Sequence, residues 1–294
     1  VVLLPKFFLF LLAIHIMLFH SANADPFFLD DSLHGRDQIN LNTKGLVQRS
    51  QAIDPTKKTL VLILDGQSQF TPVAPTAYTP VNAAAIDQFN IYDGASYEPT
   101  SPTLGQAYVP MAPYGPGHIG YRIADKFLTN GIFDRIILVF TAIGGSTYTD
   151  HTTGPLKDRN VVAMRRLASR GIVPGMTGVT FGYVLGLGET DNSLGTNQAT
   201  ATAGLNGIVS ILLGAGYSGR IFITKETYAG GVVSPAIQAA QASMWNGTTI
   251  FSGGDLDSLG SSYRNTDNLH WNDAGILAAG DIVFNAMHAS GAPF

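Results

Sequence analysis

Thr59-Leu60-Val61-Leu62-Ile63-Leu64-Asp65-Gly66-Gln67-Ser68-Gln69 is the stretch whose reading decides the fold. Five consecutive apolar residues follow a lysine pair and run into an Asp-Gly turn, the pattern of a short strand buried on both faces. Ser68 then falls just beyond the strand's carboxyl end, where open α/β sheets bind their ligands. A serine after a strand is commonly a turn residue. Its reading as a nucleophile depends on Asp267-Asn268-Leu269-His270, two hundred residues later. A serine, an aspartate and a histidine in that order can serve as nucleophile, orienter and base.

Outward from this strand, apolar runs alternate with helical spacing. Positions 119, 123, 124, 127 and 128 repeat at helical intervals, and Asn130-Gly131 is a C-terminal stop. Residues 135–140 read as a second buried strand ending in Gly144-Gly145-Ser146, and 160–169 as a helix. A third strand within 179–185 ends in Gly188-Glu189-Thr190-Asp191. Helices over 197–213 and 234–245, strands at 220–224 and 249–251, and a closing helix over 273–287 complete the pattern. Strands alternating with helices predict a parallel sheet covered on both faces. The chemically interesting groups then gather at one sheet edge, because each follows a strand or precedes the last helix.

Two regions fall outside this alternation. Residues 25–58 read as an extended N-terminal arm. Residues 71–116 carry eight of the fifteen prolines, interleaved with Tyr78, Tyr92, Tyr97, Tyr108 and Tyr114. A loop of that length is usually functional or disordered; this one reads either as a cleft wall or as a surface excursion covering the core.

Composition narrows the function. The chain has 294 residues and no cysteine, which excludes disulfides, zinc–thiolate sites and cysteine nucleophiles. A formal net charge of −4 gives no electrostatic footprint for nucleic acid. Lys6, the apolar run over 7–14 and Ala22-Asn23-Ala24 read as a secretory signal peptide over 1–24, predicting a secreted or periplasmic product. No later segment is apolar enough to span a membrane. One domain over 59–294 is expected, with no obligate protein partner implied.

Acyl transfer needs donors for the oxyanion of a tetrahedral intermediate. The Ser68 amide is one candidate and Gly145 N–H, in the Gly144-Gly145 pair, a second; a third is expected from the loop around residues 188–191. The alternatives are an ordinary Gly-Gly turn, and for His270 a place at the start of a helix with Asp267 as its cap. Asp150-His151 reads as an exposed loop pair, with substrate binding as the alternative, and His118 at a helix start as structural. His34 and His288 carry no supporting pattern. No histidine–carboxylate cluster has metal-site spacing. A Gly-x-Ser-x-Gly elbow is not met, since Gln69 and Phe70 follow Ser68. Glu189 and Asp191 share one short turn, unlike the paired carboxylates of a glycosidase. Asn246-Gly247-Thr248 is a glycosylation sequon.

Together, Gly66-Gln67-Ser68, Gly144-Gly145-Ser146, Gly188-Glu189-Thr190-Asp191 and Asp267-x-x-His270 resemble the SGNH (GDSL-like) hydrolase superfamily. The Gly-Gln-Ser motif is most similar to carbohydrate esterase family 6 and the sialate O-acetylesterase-like proteins. The resemblance implies a flavodoxin-like three-layer α/β/α sandwich with a central parallel sheet. It implies serine-dependent ester hydrolysis, often of O-acetyl groups on sugars, without metal or organic cofactor. By position, Ser68 would be the nucleophile, His270 the base and Asp267 its orienter. Gly145, Gly144, Thr190, Gln67 and Glu189 would form the oxyanion and substrate-binding surroundings. Two residues depart from the family pattern. Gln69 stands where Asn is usual, and Leu187 where the third block usually has Gln, and leucine cannot donate a hydrogen bond. Thr190 or Asn192 is then the expected substitute donor. An inactive carbohydrate-binding relative and an esterase for longer acyl chains are the competing readings.

Overall fold

A computed structural model describes residues 38–108 and 112–294. The expected signal peptide, the first part of the arm and His34 lie outside the described residues. Ten strands are described: β1 (Gln38–Ile39), β2 (Gln48–Arg49), β3 (Thr59–Gly66), β4 (Ile86–Asn90), β5 (Ala95–Tyr97), β6 (Ala107–Tyr108), β7 (Arg135–Phe140), β8 (Val179–Gly186), β9 (Arg220–Lys225) and β10 (Ile250–Asp255). The helices are α1 (Ile119–Thr129), α2 (Tyr148–Thr152), α3 (Arg159–Ser169), α4 (Glu189–Ser193), α5 (Gln198–Gly214), α6 (Pro235–Ser243) and α7 (Asp273–Ala289).

Eight strands form the main sheet in the order β10-β9-β8-β3-β7-β4-β5-β2. The run from β10 to β4 is parallel, and β5 and β2 add an antiparallel edge. Every residue of β3 is buried, as its apolar run requires. Leu60, Leu62 and Leu64 face one core with α1 and α7, while Val61 and Ile63 face a second with α3, α5 and α6. Strand period two thus divides one apolar run between two cores. The result is the three-layer α/β/α sandwich that the resemblance implied. The chain leaves β3 toward β4 on one side and returns to β8 on the other, so the topological switch point lies at the carboxyl end of β3.

The reading of 71–116 as one long loop is corrected by the structure. Ile86–Asn90 is a fully buried strand hydrogen-bonded parallel to β7, and β5 pairs with it as a hairpin. Its Asp-Gln-Phe-Asn sequence conceals it, because the polar side chains find partners far along the chain. Asp87 is paired with Arg135 at 2.6 Å, and burial pushes its carboxyl above the usual range while Arg135 pulls it down. Gln88 donates to the Glu98 carbonyl at 2.8 Å and accepts from Leu104 N–H at 3.0 Å. The described part of the arm also departs from a plain extended lead-in, since β1 pairs with β6 and β2 forms the sheet's outer edge. Elsewhere the long excursion is pinned down: the Asp125 carboxylate accepts from Tyr78 OH and from the amides of Val81 and Asn82.

Candidate active site

The end of β3 is shaped by one close approach. Gly66 has φ +133°, and a Cβ there would lie 1.8 Å from the Gly186 carbonyl oxygen on β8. Only glycine fits. The chain turns from this point into a single 3-10 turn, Ser68–Phe70. Gln69 and Phe70 are fully buried, and Ser68, 8% exposed, is the residue of the turn that reaches the surface. Among the described residues nothing accepts a hydrogen bond from the Ser68 or Gly145 N–H.

Asp267 and His270 meet within one tight loop. His270 Nδ1 lies 2.7 Å from Asp267 Oδ2, while Asp267 Oδ1 accepts the amides of Leu269 and His270 at 3.0 and 3.1 Å. Asn268 adopts φ 51°, the left-handed conformation that Asn tolerates better than most residues, and this lets the turn close. Burial works to raise the Asp267 carboxyl, but the His270 ring and the two amides outweigh it and hold the group at about 2. The carboxylate therefore fixes Nδ1 as the protonated ring nitrogen and leaves Nε2 as the basic one. The main chain is held as firmly, since Asn265 N–H donates to the His270 carbonyl at 2.7 Å. No direct Ser68–His270 hydrogen bond is closed among the described residues, and such bonds commonly tighten only when substrate is bound.

Gln67 and Glu189 lie beneath the surface, not on it. Each is 1% exposed. Gln67 Nε2 donates to Glu189 Oε2 at 2.5 Å, and Gln67 Oε1 accepts from the amides of Gly188 and Thr190 at 3.2 and 3.3 Å. Their polar atoms are thus committed to the protein, which corrects the expectation that they surround the substrate directly. The Thr190 amide is likewise taken up. Asn192, one of the two expected substitutes for a third donor, gives its side-chain amide to the carbonyls of Thr227 and Val232. Leu187 is 1% exposed and packs in the core beside α3, α5 and α6.

Gly144 and Gly145 cap the loop after β7. Gly145 is exposed with φ +70°, and a Cβ there would meet no other atom within 4 Å. The loop is anchored on the strand that carries Ser68, through Ile143 N–H to the Gly66 carbonyl at 3.0 Å. Beneath it lies an arrangement that sequence reading missed. Ser146 Oγ is 2.9 Å from His151 Nε2, and His151 Nδ1 is 3.6 Å from Asp65 Oδ1. Asp65 also accepts from Asn160 and from Tyr183 OH. Asp150-His151 is therefore not an exposed loop pair: Asp150 closes a capping box with Thr147, and His151 is 3% exposed. This second Ser-His-Asp set has no surface, since Ser146 and Asp65 are fully buried. It braces the glycine loop.

A charged cluster backs the site. Arg264 is buried, 3.6 Å from Glu189, and its guanidinium lies 3.5 Å from the Trp271 ring centroid. Burial lifts Glu189 to about 7 against the pull of Arg264, His270 and Gln69. Glu226 is pushed well above the carboxylate range by burial and by Glu189 beside it. Arg264 pulls the Glu226 carboxyl down but does not offset burial and the neighbouring Glu189. His118 is structural, as expected: Nδ1 accepts from Gly120 N–H and Nε2 donates to the Phe70 carbonyl, both at 2.8 Å. Arg264 carried no sequence signal, and Gln69 only its departure from the Asn usual after the serine.

In front of this framework, a cleft of about 510 Å³ is lined by Pro75, Pro113, Tyr114, Asn265, Thr266 and Asn272, among others. The Tyr114 ring stands edge-on to His270, centroids 5.0 Å apart. The cleft therefore adjoins the histidine. Its lining is mostly apolar, with Tyr114, Asn265, Thr266, Asn272 and the buried Arg264 supplying the polar groups.

No protein-family model matches the chain, and no curated protein matches it in sequence. Solved structures do. A protein from Arabidopsis thaliana matches over 78% of this chain and 98% of its own, with TM-score 0.56 at 14% identity. A carbohydrate acetylesterase from Xanthomonas citri matches over 78% of this chain and 56% of its own, with TM-score 0.48 at 15% identity. The lipase/acylhydrolase from Enterococcus faecalis matches over 81% and 98%, with TM-score 0.44 at 14% identity. The likeness to the Arabidopsis protein agrees with the three-layer α/β/α architecture. At these identities the likeness speaks for the sandwich, and the chemistry rests on the residues themselves.

Proposed function

We propose that this chain is a secreted serine esterase that removes O-acetyl groups from carbohydrates. The observation that carries the reading is the Asp267–His270 pair, 2.7 Å apart, in a loop hydrogen-bonded through Gln69 to the turn that bears Ser68 at the switch point of the sheet. In this mechanism His270 Nε2 takes the proton of Ser68 as its oxygen attacks the ester carbonyl. Asp267 stabilises the imidazolium that forms. The oxyanion is received by the Ser68 and Gly145 amides, each such donor being worth about 3 kcal/mol in favourable cases. His270 then protonates the departing sugar oxygen, leaving an acetyl-enzyme. Water, deprotonated by the same ring, releases acetate.

The substrate class rests on the resemblance of the Gly-Gln-Ser motif to carbohydrate esterases; the cleft beside His270 is compatible with it, offering the Tyr114 ring and the polar groups of Asn265, Thr266 and Asn272 to a sugar. Secretion is supported by the composition of residues 1–24 alone. A second reading is a catalytically weak carbohydrate-binding protein on the same scaffold. It is favoured by Leu187 and Asn192, neither of which offers a third oxyanion donor.

Hydrolysis of a short activated acetyl ester by the purified mature protein, beside Ser68→Ala and His270→Ala, separates the two. Turnover by the wild type, lost in both variants and matched by fluorophosphonate labelling of Ser68, supports the esterase. A folded wild type that neither turns over nor labels, but binds glycan, leaves the second reading.

A further inference from the structure

Gln69 is the residue after the serine, and its side chain is fully buried. Its amide nitrogen donates to the Leu269 carbonyl at 2.6 Å and to Glu189 Oε1 at 2.7 Å. Its carbonyl oxygen accepts from Trp271 N–H at 3.2 Å. One side chain thus grips the peptide groups on both flanks of His270 and ties them to the turn that carries Ser68. The three bonds use both N–H groups and the oxygen, which fixes the orientation of the amide. Glu189 completes the assembly: one oxygen accepts from Gln69 and the other from Gln67, on the opposite flank of Ser68. Arg264 adds a second donor to the Leu269 carbonyl, at 2.8 Å.

We infer that Gln69 is a positioning residue that sets the distance and facing of His270 relative to Ser68. The inference rests on the reading of His270 as the general base. With no direct Ser68–His270 bond closed among the described residues, the alignment of the two comes from the backbone segments that bear them, and Gln69 joins those segments. Length matters. An asparagine is shorter by one methylene, about 1.5 Å, and cannot hold Glu189 and both flanks of His270 at once. Misplacement on that scale costs about 100-fold in a reaction that depends on near-attack geometry.

The test uses the full mature chain with Gln69→Met, which keeps the volume and loses all three bonds, and Gln69→Asn, which keeps the chemistry and loses the reach. The first readout is the His270 Nδ1–H proton resonance, held by Asp267, and its exchange with solvent. The second is kcat and KM on the short acetyl ester. Exchange at least tenfold faster in both variants, with kcat down about 10- to 100-fold and KM within about twofold, is expected. If Gln69→Met does not fold, Gln69→Asn carries the test alone. A folded Gln69→Asn with unchanged exchange and unchanged kcat overturns the inference. An inactive wild type counts against the esterase reading, and the exchange measurement then decides the role of Gln69 by itself: faster exchange upholds it, unchanged exchange sinks it.

Discussion

Asp267 holds His270 through 2.7 Å between Oδ2 and Nδ1, while its other oxygen is occupied by the two amides that follow it. The carboxylate is thereby oriented by its own loop and has no freedom to present a different face to the ring. Asp267→Asn keeps the shape but can turn an N–H toward Nδ1, favouring the wrong tautomer. The expected result is a fall in kcat of about 10³- to 10⁴-fold with little change in KM. Steady-state kinetics on the short acetyl ester measures it, and a loss below tenfold would remove Asp267 from the triad.

Two Ser-His-Asp sets coexist in this chain, and burial tells them apart. Ser146 is closer to the geometry of an active triad, with 2.9 Å to His151, but it is fully buried. Fluorophosphonate followed by peptide mass spectrometry is expected to modify Ser68 and leave Ser146 untouched. Label on Ser146 would reverse the assignment.

His118 gives stability an acid-sensitive term. Burial depresses its imidazole to about 4, against which the Phe70 carbonyl pulls upward. The neutral ring accepts from Gly120 N–H, and a charged ring would instead point a proton at it. The folded state therefore binds fewer protons than the unfolded state between pH 6.5 and 4. The contribution is fully present above pH 6.5 and is lost as pH falls toward 4, by about 3 kcal/mol. Because other groups titrate in the same window, the His118 term is read as a difference: between pH 7 and pH 4.5, urea unfolding is expected to show the wild type losing about 3 kcal/mol more, or gaining that much less, than His118→Gln.

Glu189 acts in the opposite direction. Its carboxyl is raised to about 7 by burial, so its contribution is fully present below about pH 4.5 and lost as pH rises through 7. Arg264→Met removes the cation beside Glu189 and Glu226, leaving two buried carboxyls facing each other. A destabilisation of about 3–5 kcal/mol at pH 8 is expected, shrinking at pH 5 where both carboxyls are protonated. Denaturant midpoints at the two pH values check the sign.

Gly66→Ala and Gly145→Ala separate steric need from conformational preference. At Gly66 the new Cβ would lie 1.8 Å from the Gly186 carbonyl oxygen, so the strand end must move and soluble protein is not expected. At Gly145 the space is open and only the φ of +70° resists, costing about 1–2 kcal/mol. Thermal melts of Gly145→Ala should show a folded protein with a modestly lowered midpoint.

The sequence by itself determined the sandwich. Apolar runs such as 60–64 and 136–140 can satisfy themselves only as doubly buried strands, and helical spacing between them is a local signal that survives any tertiary context. The spacing of Asp267 and His270 was legible for the same reason, because three residues in one turn can meet without help from the rest of the chain. What the tertiary structure alone decided concerns buried polar groups, whose meaning lies in partners far along the chain. Ile86–Asn90 is a core strand because Arg135 neutralises Asp87. His151 is buried with Nε2 2.9 Å from Ser146 Oγ and its other ring nitrogen facing Asp65 of β3. Gln67 and Glu189 turned from substrate contacts into a brace because each meets the other across the sheet edge. Gln69 was visible only as a departure from a motif, and its reach to both sides of His270 exists only once β3 and the segment before α7 are folded together. Periodicity reports which face is apolar; it carries no record of which distant group will satisfy a buried amide or carboxylate.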